Sequence, residues 1–263
     1  MNWTSVFGAM LALGGIGLVF GAILSFAAKK FAVQTDPRVA QVRQNLGGAN
    51  CGACGFAGCD QFAEAIVRGE ASPNGCPAGG AKTAKAIGEI MGISVEAVDD
   101  LVARVLCQGE HGVANDRYEY DGYKSCQMAS KLSGGNKLCH YACLGLGDCQ
   151  SVCKFDAIHI AEGLAQINPA KCTACGMCEK TCPRGVIRLL PRDASVIVRC
   201  RNSDTGRVAR ESCMKACIGC KRCEKACQYG AIHVENGYAR IDPDKCVRCG
   251  ACMDICPCGC ITA

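Results

Sequence analysis

Large aromatic side chains are scarce in this 263-residue chain: Phe, Tyr and Trp together make up 5% of it, with a single Trp. A core built mainly on buried rings is therefore excluded over much of its length, and a basic aromatic face for nucleic acid has too few rings to form. Charge is missing altogether from Met1 to Ala28, which excludes a water-facing surface for that stretch. A glycine-rich dinucleotide fingerprint opening a helix is also missing. What the chain has in excess is cysteine, 26 residues in 263, a density that signals either a disulfide framework or metal ligation.

The spacing separates those two readings. Disulfide frameworks belong mainly to short secreted chains, whereas here the cysteines recur as Cys-x-x-Cys-x-x-Cys-x-x-x-Cys. Neighbouring thiols at that spacing point at one centre, which suits a [4Fe-4S] cluster. Such small domains fold around their clusters, so ligand binding and folding form one equilibrium. The formal charge of +5 counts cysteine as neutral. Each cluster with four thiolates carries about −2, so six would bring the total to about −7. The basic balance is therefore no argument for an anionic partner.

The uncharged stretch is long enough to cross a bilayer, which needs about 20 apolar residues. Its glycines, among them the Gly17/Gly21 pair, are tolerated in lipid as filler or as a packing face. A cleaved signal peptide carries its positive charge before a shorter apolar run. Here Lys29 and Lys30 follow the run, with Arg38 and Arg43 beyond. The positive-inside rule then predicts a retained anchor with the bulk of the chain in the cytoplasm.

The first ligand set is Cys51, Cys54, Cys59 and Cys76, with small residues between the first three. Zinc also takes four cysteines, but usually as two two-cysteine knuckles and not as a triplet with a distant fourth. Residues 60–68 read as a short helix with Phe62, Ala63, Ile66 and Val67 inward, and Lys82 to Leu106 has helical periodicity.

Sliding the chain on itself by 74 residues exposes a repeat. Cys149, Cys153, Cys172, Cys175, Cys178 and Cys182 land on Cys223, Cys227, Cys246, Cys249, Cys252 and Cys256. Two short strands in each copy, joined at Glu162-Gly163 and Asn236-Gly237, predict hairpins. Each copy reads as a bacterial two-cluster ferredoxin, in which the fourth cysteine of a run ligates the other cluster. In the second copy this predicts one site on Cys217, Cys220, Cys223 and Cys256, and another on Cys227, Cys246, Cys249 and Cys252. In the first copy, one site falls on Cys153, Cys172, Cys175 and Cys178. Leu146 stands where Cys220 would be, and Cys139 is taken to replace it, giving Cys139, Cys143, Cys149 and Cys182. His159 and His233 also coincide, either as modulators of a cluster or as solvated strand positions.

Six cysteines remain. Cys258 and Cys260 receive no role. Cys107, Cys126, Cys200 and Cys213 flank the first copy and are either a sixth cluster site or buried free thiols. The fold class that follows is α+β: a single transmembrane helix (1–28), a linker (29–45), a small mostly helical [4Fe-4S] module (46–106), a connecting segment (107–138), a first two-cluster ferredoxin-like domain (139–190), a second connector (191–212) and a second two-cluster ferredoxin-like domain (213–263).

The order of these modules, the run Cys139-His140-Tyr141-Ala142-Cys143-Leu144-Gly145-Leu146-Gly147-Asp148-Cys149 and the Cys217-Ile218-Gly219-Cys220 segment resemble the B subunit of the Rnf complex, the ion-translocating ferredoxin:NAD oxidoreductase, in its long multi-cluster form. The resemblance covers nearly the whole chain. It implies a redox subunit with no complete active site of its own. Such a subunit takes electrons from soluble ferredoxin at the cytoplasmic face of a bacterial or archaeal membrane and passes them to other membrane and peripheral subunits. It implies no nucleic-acid partner, and it leaves flavins and the NAD site to other chains. The competing reading is an iron-sulfur wiring subunit of another membrane oxidoreductase, such as a hydrogenase or a redox-sensor-reducing system.

Overall fold

The computed structural model describes residues 3–31, 36–95 and 100–263; small parts of the predicted anchor and linker lie outside these. Helix α1 runs from Trp3 to Lys30, about 42 Å at 1.5 Å per residue. Its stretch Met10–Lys30 has a mean hydropathy of 2.2, and none of it is buried among the described residues. Phe7, Leu11, Leu18, Phe20 and Phe26 all stand exposed, which in water would be costly and in lipid is not. Lys29 and Lys30 fall in its last turn.

Three short helices follow as a small bundle: α2 (Pro37–Asn45), α3 (Cys59–Val67) and α4 (Gly80–Met91). Asp36 caps α2 by accepting from the Arg38 amide at 2.9 Å, and Pro37 takes the first helical position, where no amide is needed. Val42, Leu46, Phe62, Ala63, Ile66 and Ile87 form the bundle's core, with Cys54, Cys59 and Cys76 packed on it. Arg43 joins Asp60 at 2.7 Å, and the Thr83 hydroxyl donates to the Asn45 carbonyl at 3.2 Å.

The helical periodicity of Lys82 to Leu106 holds only as far as Met91. Gly92 takes a left-handed conformation (φ +68°) that closes α4, and Leu101–Val105 is a strand, β1. β1 pairs antiparallel with β4 (Ile187–Pro191), Leu101 opposite Pro191 and Val105 opposite Ile187. Residues 101–105 thus pack with the segment after them and not with the three-helix module. A buried pairing partner outweighs a weak local preference for helix.

The remainder repeats itself. After the short helices α5 (Cys126–Lys131) and α6 (Asp148–Ser151) come the hairpin β2 (Ile158–Ala161) and β3 (Leu164–Ile167), then α7 (Met177–Thr181). Beyond β4, the strand β5 (Ile197–Val198) and helix α8 (Gly206–Ser212) lead into α9 (Arg222–Ala226), the hairpin β6 (Ile232–Glu235) and β7 (Tyr238–Ile241), α10 (Ala251–Asp254) and β8 (Ile261–Thr262). Ile158 faces Ile167 in the first hairpin and Ile232 faces Ile241 in the second, the same register 74 residues on. Both turns have two consecutive positive φ values, at Glu162-Gly163 and Asn236-Gly237, the arrangement that matches the twist of the flanking strands. Gly145 and Gly219, also at positive φ, lie against the turn carbonyls of Gly163 and Gly237. A Cβ there would collide with the backbone of the hairpin.

Candidate metal centres

All 26 cysteines are free thiols, and all but Cys258 and Cys260 gather in groups of four. Cys51, Cys54, Cys59 and Cys76 form the first group. Burial raises the Cys76 pKa, and the nearby Cys51, Cys59 and Cys54 add to the rise. The Asn50 side chain fixes the approach to α3 by accepting from the Cys59 amide at 2.8 Å.

The second group is Cys153, Cys172, Cys175 and Cys178. Cys178 is pushed up to about 12 by burial, with Cys175, Cys172 and Cys153 reinforcing it. Two backbone amides aim at its sulfurs, Ala157 at Cys153 and, from β1, Ala103 at Cys172, both at 3.4 Å. Arg192 closes one side, donating to the carbonyls of Leu101, Pro169 and Cys172.

In the second ferredoxin-like unit, one cavity is lined by Cys217, Cys220, Cys223 and Cys256. Another is lined by Cys227, Cys246, Cys249 and Cys252. The Ala231 amide reaches Cys227 at 3.4 Å, the counterpart of Ala157 and Cys153. Cys258 and Cys260 also line the first of these cavities. Cys260 is 1% exposed and its sulfur lies 3.5 Å from that of Cys256. Its hydrogen bond to Cys217 lowers the Cys217 pKa to about 6 and raises its own.

In the two remaining groups the placement differs from the sequence expectation. Cys139 does not join Cys143, Cys149 and Cys182. It shares a cavity with Cys107, Cys200 and Cys213, and burial pushes its pKa up to about 11, with Cys107 and Cys213 contributing. Cys126, expected with Cys107, Cys200 and Cys213, lies instead with Cys143, Cys149 and Cys182. Burial raises Cys149 to about 12, and Cys143, Cys126 and Cys182 are among the thiols that add to it. The reason is a clamp on α5: Asp148 accepts from the Ser125 hydroxyl (3.1 Å) and from the amides of Cys126 (3.0 Å) and Gln127 (2.9 Å). The clamp brings the Cys126 thiol within hydrogen-bond reach of the Leu146 amide, beside the position that a Cys220 equivalent would occupy.

A signal for this exchange exists in the sequence. The 74-residue offset that aligns the other ligands also carries Cys139 onto Cys213 and Cys143 onto Cys217. Cys139 is therefore the counterpart of Cys213 and not a substitute for Cys220. Cys107 and Cys200 match in the same way without equal spacing. Cys107 accepts from the amides of Gly109 (3.3 Å) and Cys143 (3.5 Å), and Cys200 from those of Asn202 (3.5 Å) and Cys217 (3.2 Å). The Asn202 side-chain amide adds a contact to Cys139 at 3.4 Å. This last group is thus two pairs contributed by the two copies of the repeat.

Among the described residues, no set of three or more His, Cys, Asp or Glu side chains closes to the distance a single ion needs. A zinc ion, with Zn–S near 2.3 Å, would hold its sulfurs about 3.8 Å apart. Four thiols around a walled space, with amides directed at their sulfurs, fit the larger [4Fe-4S] group. His159 bonds Gln166 at 3.1 Å and His233 faces Glu224 at 3.4 Å, both on the exposed side of their hairpins.

Comparison with known proteins also points to iron-sulfur binding. Residues 46–78 match a family described as "Putative Fe-S cluster", residues 165–188 a 4Fe-4S binding domain and residues 216–260 a 4Fe-4S dicluster domain. The chain is 51% identical to the B subunit of the Na(+)-translocating ferredoxin:NAD(+) oxidoreductase complex of Acetobacterium woodii, over 95% of its own length and 75% of the relative's. It is 42% identical to the B subunit of the ion-translocating oxidoreductase complex of Methanosarcina acetivorans, over 95% of each chain. It is 39% identical to the B subunit of the proton-translocating ferredoxin:NAD(+) oxidoreductase complex of Clostridium ljungdahlii, over 94% of its own length and 89% of the relative's.

Proposed function

The chain belongs to the family of B subunits of ion-translocating ferredoxin:NAD(+) oxidoreductase complexes, the Rnf complexes, and from that premise we propose that it is a relay of six [4Fe-4S] sites that accepts electrons from reduced ferredoxin. As a member of this family it is an iron-sulfur electron-transfer subunit of a redox complex. A [4Fe-4S] group held in such a site supplies one-electron transfer. The chain's own contribution is to hold each site with four thiolates, direct amides at their sulfurs and shield them with apolar side chains. The complete NAD site lies on other subunits.

The observation that carries this reading is continuity. Successive groups abut: Cys51 lies near Cys175 and Cys178 near Cys149, the Cys143 amide donates to the Cys107 sulfur at 3.5 Å, and the Cys217 amide donates to the Cys200 sulfur at 3.2 Å. In the second unit, α9 joins Cys223 of one site to Cys227 of the next. The proposed order is the Cys51 site, the Cys153 site, the Cys126 site, the Cys107 site, the Cys217 site and the Cys227 site. Cys126, Cys143, Cys149 and Cys182 hold the third site, and Cys107, Cys139, Cys200 and Cys213 hold the fourth. Helix α1 anchors the relay, and Lys29 and Lys30 at its end favour the cytoplasmic side for residues 36–263.

The test is iron analysis of the anaerobically purified full chain with its visible spectrum. Six sites require about 24 iron atoms and a brown colour that bleaches with dithionite. A count near 20 would remove one site, and a colourless protein would refute the relay.

A further inference from the structure

Lys137 is the one charged residue that is buried among the described residues, with 1% of its surface exposed. Its ammonium lies 3.3 Å from a carboxylate oxygen of Asp116, yet it makes no hydrogen bond of good geometry to any acceptor. Asp116 itself is 43% exposed, so solvent screens much of its charge. Burying an ammonium is costly, and a single screened carboxylate offsets that cost poorly. A further negative charge must lie within reach.

The backbone shows where. Lys137 pairs with Asp116, and Ala114 pairs with Cys213. The Leu138 amide donates to the Asn115 carbonyl at 2.8 Å, the Asn115 amide to Ser212 at 3.0 Å and the Met214 amide to Val113 at 3.0 Å. The extended segment 113–116 is therefore flanked by Lys137 on one edge and by Cys213 on the other. Two residues after Lys137 comes Cys139, a second member of the same four-cysteine group. Of the other cations lining this cavity, Arg199 donates to the carbonyls of Val105 and Cys107, Arg201 donates to that of Gly185, and Lys215 stands exposed to solvent, which screens its charge. The cavities of the second unit hold only Lys221 in one and Arg248 in the other, neither of them buried.

We propose that the buried ammonium of Lys137 raises the reduction potential of the site held by Cys107, Cys139, Cys200 and Cys213. This rests on the six-site reading above. One-electron reduction takes such a site from about −2 to about −3, with the electron arriving from the preceding site and no proton needed. A fixed positive charge in a low-dielectric surrounding stabilises the more negative state more strongly, so it favours reduction.

The experiment is an anaerobic redox titration of the full chain in detergent, followed by electron paramagnetic resonance, with iron counted in parallel. In Lys137→Met, iron content should stay at the wild-type value while one signal moves to lower potential and the others stay in place. Asp116→Asn, which takes away the ammonium's counter-charge, should move that same signal upward. Full iron content with every midpoint unchanged in Lys137→Met would overturn the proposal. If Lys137→Met loses about four iron atoms, Asp116→Asn decides: an upward shift supports the assignment and an unmoved signal overturns it. A wild-type count near 20 iron atoms would instead strike down the six-site reading, and the role of Lys137 with it, before any substitution is made.

Discussion

The two ferredoxin-like units share one backbone and differ in how they obtain a ligand. In the second, Cys217, Cys220, Cys223 and Cys256 all come from residues 217–256 and line one cavity. In the first, Leu146 replaces the counterpart of Cys220, and the fourth thiol is supplied by Cys126, twenty residues upstream on a helix held by Asp148. The hairpins, their turns and the glycines beneath them are otherwise superposable by number, with Gly145 answering to Gly219 and Ala165 to Ala239. In the proposed assignment, a ferredoxin scaffold tolerates the loss of an internal ligand when a neighbouring segment can be clamped into the gap. Cys139, the counterpart of Cys213, then lies with it at the cavity between the two units.

The sharpest way to break this comparison is to remove one thiol of the exchanged pair at a time. Cys126→Ser should cost the first unit its Cys143/Cys149/Cys182 site and leave the junction site intact. Cys139→Ser should do the reverse. Each should lose about four iron atoms, and the spectra of the two variants should lack different signals. The same signal missing from both would show that the two cysteines serve one site. Adding Leu146→Cys to Cys126→Ser should restore the lost iron by returning the first unit to the ligand pattern of the second.

A smaller effect compares the glycines. Alanine at Gly145 would sit well inside contact distance of the Gly163 carbonyl, while at Gly219 its Cβ would lie 2.9 Å from that of Gly237. Each also forces a positive φ on a residue with a Cβ. Gly145→Ala should cost about 2–4 kcal/mol and Gly219→Ala about 1–3 kcal/mol, read as resistance to anaerobic denaturation of the cluster-loaded protein. Smaller still is Asp148→Ala, expected to cost about 1–2 kcal/mol through the lost bonds to α5. Arg222 occupies the corresponding place in the second unit, so iron loss to a chelator should quicken at the first unit's site alone.

Much of this was legible in the residues alone. Hairpins announce themselves through short apolar runs bracketing Glu162-Gly163 and Asn236-Gly237, because turn geometry is a property of two adjacent residues. The helix at 59–67 was equally plain from Phe62, Ala63 and Ile66. Strand β1 was not: Leu101–Val105 carries enough apolar spacing to pass for helix, and only its partner Ile187–Pro191, more than 80 residues on, decides otherwise. Cys126 was hidden for a similar reason, since nothing local to it records that Asp148 will grip its amide. The exchange of Cys139 was recoverable, because the repeat offset already led from Cys139 to Cys213.

By itself the sequence determines that this chain binds [4Fe-4S] clusters, that two ferredoxin units recur within it and that one apolar helix precedes them. Those are matters of local spacing, since a tight cysteine triplet can satisfy only a shared centre. That Cys126 lies with Cys143, Cys149 and Cys182 was decided by the tertiary structure alone, whereas the repeat offset already pointed Cys139 to Cys213. Cysteines are chemically alike, so the choice between Cys126 and Cys139 falls to the backbone bonds and the Asp148 clamp that bring one of them into each cavity.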